Sequence, residues 1–205
     1  MKKKNYLFLL LSLILILAGC SANTQKKAKG ISVVATTDFY GEVAKEVLGS
    51  HGSVTSIINN PSIDPHDFEP TTKTAKTVAN SDILLYNGIG YDSWAKKLSG
   101  AKKIAVGEDI MNKKDGDNEH LWYNSKTMPA VAKYLAKRFG KIDSKHKEEY
   151  LKNAKKYANS LSKLDTMINQ IKKNSNNKLV DVSEPVFDYA LQDMGYKVNN
   201  VHFSN

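Results

Sequence analysis

Apolar positions along this chain follow two spacings in turn. Residues 31–36 (Ile-Ser-Val-Val-Ala-Thr), 54–58, 82–86 and 103–106 are short runs rich in β-branched and aliphatic side chains, and each predicts a strand. Between them, Phe39, Val43 and Val47 fall at helical spacing up to Gly49, residues 72–80 suit a short helix, and 94–98 reads as helical. Strands alternating with helices predict an α/β fold with a parallel sheet. In such sheets ligands sit beyond the carboxyl ends of the strands.

Farther along, 112–119 is a polar loop and 128–139 an amphipathic helix with Val131, Leu135 and Phe139 on one stripe. From 143 to 173 the chain contains no Gly or Pro. Tyr150, Ala154, Tyr157, Leu161, Leu164, Ile168 and Ile171 step by fours and threes. Uninterrupted, such a helix would reach about 45 Å. It is either a coiled-coil seam or a single backbone helix whose stripe is buried against a lobe at each end. Asn174-Ser175-Asn176-Asn177 stops it, 179–183 predicts a strand, 184–194 a helix capped by Gly195, and Lys197 starts another strand. A second βαβ unit begins here, and the roughly thirty residues after the long helix are too few to close a sheet with its own core.

The N-terminus changes the picture of compartment. Lys2, Lys3 and Lys4 precede an apolar run over 6–17, too short to span a bilayer, ending in Leu17-Ala18-Gly19-Cys20. The last four resemble a bacterial lipobox, which implies cleavage before Cys20 and diacylation of its thiol. Cys20 is the one cysteine, which excludes an intramolecular disulfide and a multi-thiolate metal site. Residues 21–30 lack apolar periodicity and read as a flexible tether. The net charge of +9 is spread over many lysines with no dense Arg/Lys block among aromatics, so attraction to anionic lipid or wall polymer explains it better than nucleic acid does.

Candidate chemistry lies in Asp64-Pro65-His66-Asp67-Phe68-Glu69-Pro70. The prolines stiffen the loop, so His66 is held on an extended segment. Its acidic neighbours can orient the ring and favour a nearby cation. Alone, such a histidine reads first as part of a polar surface turn and only second as a ligand. His120, at a loop mouth before a helix, becomes a candidate only as its partner. Glu184 stands at a strand-to-helix junction before Pro185, where a carboxylate commonly complements the helix dipole. His51, His146 and His202 read as structural or solvent-facing.

Together these pieces resemble the metal-binding lipoproteins (cluster A-I substrate-binding proteins) that feed ABC importers of manganese, zinc or iron. The resemblance rests on the lipobox, on Ala35-Thr36-Thr37-Asp38-Phe39-Tyr40, on the Asp-Pro-His-x-x-Glu-Pro loop, on His120-x-Trp122, on the long helix and on Glu184-x-x-Phe187-x-Tyr189. It implies two parallel-sheet lobes joined by one long helix, with the second lobe incomplete here. The expected division is a lipoprotein signal over 1–20, a tether over 21–30, an N-terminal metal-binding lobe over 31–141, the linking helix over 142–175 and the start of a truncated C-terminal lobe over 176–205.

The resemblance makes His66 and His120 metal ligands of the first lobe and Glu184 the third ligand. The family's fourth ligand, a carboxylate farther along, falls past Asn205. Asn118-Glu119-His120 departs from the Asp-Pro-His of many relatives. The implied cargo is Mn or Zn, with Fe possible, and the implied partners are a permease and its ATPase. The protein would be a monomer, lipid-anchored on the extracytoplasmic face of a Gram-positive cell membrane, with no enzymatic activity and no nucleic-acid partner. Two imidazoles with carboxylates suit borderline divalent ions and argue against Cu(I) or Fe–S. The loop over 112–119 holds no histidine, which tilts the expectation toward manganese. An exported metal-dependent hydrolase is the second reading, although no His-Glu-x-x-His or Gly-x-Ser-x-Gly is present. A surface adhesin is the third; it accounts for the lysines but not for the proline-bracketed histidine.

Overall fold

A computed structural model describes residues 30–200. The signal segment, Cys20 and His202 lie outside the described residues.

The chain opens with β1 (Ile31–Thr37), α1 (Asp38–Leu48), β2 (Gly52–Ile58), α2 (Thr72–Ala79), β3 (Ile83–Tyr86) and β4 (Lys102–Ala105). The four strands form one parallel sheet in the order β2-β1-β3-β4, with Val33 opposite Val54 and Ile83, and Leu85 opposite Ile104. Alternate side chains of β1 serve opposite faces. Ile31, Val33 and Ala35 pack with α1, with α3 (Thr127–Ile142) and with α4 (Lys147–Ser160). Val34 points to the other side, among Val78, Leu84, Trp94 and Leu98. Both faces are thus covered, which is why these strands read as nearly continuous apolar runs.

Elements form where the side-chain pattern places them, with local exceptions. Gly49 ends α1 at a positive φ of 60°, a conformation a β-carbon would strain. Thr71 and Thr74 exchange hydrogen bonds as a capping box at the start of α2. The helix expected over 94–98 is a 3₁₀ turn, Ser93–Lys97. After β4 the chain makes a π-helical turn, Val106–Ile110, that the periodicity did not foretell; Asp109 Oδ2 accepts from the Ala105 N–H inside it.

The long helix is present with one break. α4 gives way at Leu161 to α5 (Ser162–Ser175). Ser160 Oγ donates to the Tyr157 carbonyl, which an unbroken helix would offer to the Leu161 N–H, and that N–H turns to the Ala158 carbonyl instead. Neither Gly nor Pro is involved, so the sequence carries no breaker signal. The stripe is also not buried throughout. Tyr150 and Ala154 are buried against the first sheet's helices, whereas Leu164 and Ile171 are exposed.

Beyond α5, β5 (Leu179–Val182) and β6 (Lys197–Asn200) pair in parallel around α6 (Asp188–Asp193), a second βαβ unit as expected. A 3₁₀ turn, Pro185–Phe187, precedes α6 where one helix over 184–194 was expected. The fold is therefore α/β with two parallel sheets. Among the described residues no helix is long and apolar enough to cross a membrane.

Candidate metal centre

The first sheet changes direction between β1 and β3, since the chain runs outward from β1 to β2 and later from β3 to β4. The crevice at the carboxyl ends of these strands is where such sheets take ligands. A buried carboxylate ties its floor together. Asp92 Oδ2 accepts from Thr36 Oγ1 at 2.6 Å and from the Asn87 N–H at 2.8 Å, and Oδ1 accepts from the Gly88 N–H at 2.9 Å. Burial pushes the Asp92 carboxyl up, while these donors pull it back. Asn87 Oδ1 accepts from the buried Tyr40 hydroxyl at 2.6 Å, and Asn87 Nδ2 donates to the Glu119 carbonyl at 3.1 Å. Between Gly88 and Gly90, buried Ile89 holds a φ of 43°, costly for a β-branched residue and found where function constrains the chain.

His66 enters from the loop after β2. Asp64 Oδ1 accepts from the His66 N–H at 2.9 Å, and Trp94 Nε1 donates to the Pro65 carbonyl at 3.0 Å. The proline-bracketed loop is thereby fastened to the buried indole, with Phe68 against the same ring at 4.8 Å.

His120 enters from the loop after β4 in a similar way. Asn118 Nδ2 donates to the Pro185 carbonyl, so Oδ1 is the acceptor end of that amide. Oδ1 accepts from the His120 N–H at 3.0 Å and lies 2.9 Å from Nδ1. Nδ1 therefore carries the proton and Nε2 keeps its lone pair, the form a metal ligand needs. Burial, helped by His66, holds the His120 imidazole below its ordinary value against the opposing pull of Glu119, Asp188 and Glu184.

The two imidazoles share Tyr91, whose ring centroid lies 5.2 Å from that of His66 and 6.4 Å from that of His120. Trp122 packs on both Tyr91 and His120, and Phe39 on Trp122. Glu119 fills the space beside them, with Oε1 2.7 Å from His66 Nε2.

His66 and His120 thus come together on one lobe. Glu184 is exposed at the mouth of the turn before α6, near enough to act electrostatically on His120. As the side chains stand, no three His, Cys, Asp or Glu groups among the described residues are gathered tightly enough to hold an ion. His51 and His146 lie elsewhere, stacked at 3.8 Å, with His51 Nε2 2.8 Å from Glu149 and His146 Nδ1 2.6 Å from Asp143. Both are structural, as their sequence contexts suggested. Asp92, Asn87, Tyr91 and Glu119 were missed. A carboxylate adjoining His120 was the one available signal.

A parallel-sheet lobe presenting two oriented imidazoles at its switch point, facing a second βαβ unit, defines a cleft-type binding protein. Residues 33–205 match the family described as zinc-uptake complex component A, periplasmic, and the chain belongs to that family. It is 32% identical over 220 residues to the manganese ABC transporter substrate-binding lipoprotein PsaA of Streptococcus mitis, covering 95% of this chain and 70% of that protein. It is also 32% identical over 206 residues to the iron ABC transporter substrate-binding lipoprotein MtsA of Streptococcus pyogenes serotype M1, covering 89% of this chain and 66% of that one. Among solved structures, the metal-dependent lipoprotein YcdH of Bacillus subtilis superposes with a TM-score of 0.73 at 24% identity, over 86% of this chain and 68% of that one, a likeness of fold.

Proposed function

We propose that this chain is the extracytoplasmic solute-binding component of an ABC importer, capturing Mn or Zn, with Fe admissible, and handing it to a permease driven by its ATPase. The observation that carries the reading is the pair of imidazoles brought around Tyr91, one of them fixed with its Nε2 lone pair available. His66 and His120 are the ligands from the lobe over 31–141, and Glu184 is the ligand offered by the unit over 176–205, with the helical stretch over 142–175 between them. Cys20 carries the lipid that anchors a monomeric protein to the outer face of the membrane, with 1–20 removed as signal and 21–30 as tether. The protein is a carrier and catalyses no reaction. The named relatives support the class, since they are lipoproteins of manganese and iron ABC transporters.

Imidazole with carboxylate favours Zn over Mn by raw affinity, so any manganese role depends on geometry and supply. The test is calorimetric titration of Mn(II) and Zn(II) into the metal-free chain. His66→Ala is expected to weaken binding by at least tenfold, about 1.4 kcal/mol. Unchanged binding in that variant removes His66 from the site and the reading with it.

A further inference from the structure

We propose that Glu119 is itself a metal ligand, so that the first lobe alone supplies a His66–Glu119–His120 set. The inference rests on the cation-binding reading above and adds to it a ligand from this lobe.

Three observations place the carboxylate there. Glu119 Oε1 lies 2.7 Å from His66 Nε2. Its side chain is only 21% exposed, so the charge is held at the crevice and not in bulk water. Its backbone is pinned by Asn87, and its Oε2 reaches the Cα side of Gly90, where a β-carbon would stand 3.4 Å away.

Geometry decides between a ligand and a bystander. Two donors bound at about 2.1 Å to one tetrahedral ion stand about 3.4 Å apart. The His66–Glu119 pair, at 2.7 Å, need open by less than about 1 Å to admit an ion between them. Such a motion lies within side-chain rotation. The charge argument points the same way. Two neutral imidazoles leave a divalent ion with its full charge in a half-buried crevice, and a carboxylate neutralises half of it. A three-ligand set leaves one tetrahedral position open, for Glu184 or for water, which suits a cargo that must be released.

The opposite role is also concrete. Glu119 would then be a plug, competing with the ion for His66, and its removal would tighten binding. Mn(II) and Zn(II) are titrated into the full chain carrying Glu119→Gln, Glu119→His or His66→Ala, with metal-free melting as the check on folding. A ligand role predicts roughly tenfold weaker binding in Glu119→Gln for both ions, with the larger loss for Mn(II), which depends more on oxygen donors. Glu119→His is expected to restore Zn(II) binding and not Mn(II) binding. Unchanged or tighter binding in Glu119→Gln, alongside weakened His66→Ala, overturns the ligand role and leaves the cation-binding reading standing. Unchanged binding in both variants sinks the two together. Should Glu119→Gln not fold, Glu119→His decides alone: Zn(II) kept with Mn(II) lost supports the ligand role, and retention of both overturns it.

Discussion

Asn118 Nδ2 donates to the carbonyl of Pro185 at 2.6 Å, so an amide of the first lobe is fastened to the residue after Glu184 in the second. The Tyr189 hydroxyl adds a second tie by donating to the Asn118 carbonyl at 2.9 Å. Asn118 thereby joins the fit of the two units to the orientation of His120. Asn118→Ala removes both functions of the amide and is expected to lower stability by about 1–2 kcal/mol in urea denaturation. Asn118→Asp keeps an acceptor for the His120 ring and loses the donor to Pro185. In ¹⁵N spectra of the metal-free protein, the aspartate variant should keep the Nδ1–H tautomer of His120 and the alanine variant should lose it. Retention of that tautomer in Asn118→Ala would show that the ring is set by something else.

Trp94 holds the His66 loop through one hydrogen bond to Pro65. Trp94→Phe keeps most of the ring's packing and deletes the donor, leaving the carbonyl of buried Pro65 without that partner. The expected loss is about 1 kcal/mol of stability. Faster amide exchange at His66, whose N–H is held by Asp64, should accompany it. Wild-type exchange at His66 would mean that the two prolines suffice to hold the loop.

Acid sensitivity is expected far from the crevice. The Asp143 carboxyl is held below the ordinary aspartate value chiefly by the His146 ring and then by the Tyr150 hydroxyl. A depressed folded value means that the unfolded chain binds the proton more tightly. The contribution is therefore complete above the unfolded value and is lost as pH falls through the lower, folded one. Melting temperatures recorded below about pH 4 should fall less steeply in Asp143→Asn than in the wild type. Parallel acid limbs would contradict this.

The break at Leu161 is expected to be reversible by a single atom. Ser160→Ala deletes the hydroxyl that occupies the Tyr157 carbonyl, letting the Leu161 N–H return to it, and alanine is the better helix former by about 0.5 kcal/mol. Far-ultraviolet circular dichroism should gain helical signal and the Leu161 amide should exchange more slowly. No change in either would place the cause of the break in packing.

Much of the architecture was legible because its signals are local. Strand runs, helical spacing and the proline bracket around His66 each lie within a few residues, and the strands and most helices formed close to their expected places. What escaped is nonlocal. Asp92 acts on Thr36, and Asn87 on Tyr40 and Glu119, across intervals no window of the sequence spans. The break at Leu161 escaped for a different reason: serine both tolerates a helix and competes for its carbonyls, and only the hydrogen bond made decides between them. Burial along α4 and α5 was overestimated because spacing gives the face of a helix but not what covers it, as exposed Leu164 and Ile171 illustrate.

Asp92 bridges β1 to the loop after β3, and Asn87 passes that bridge on to the backbone beside His120. The placement of the His120 backbone is thereby tied to strand register. Ion preference is thus open to retuning from beneath, by substitutions in the floor that leave every ion-facing atom untouched.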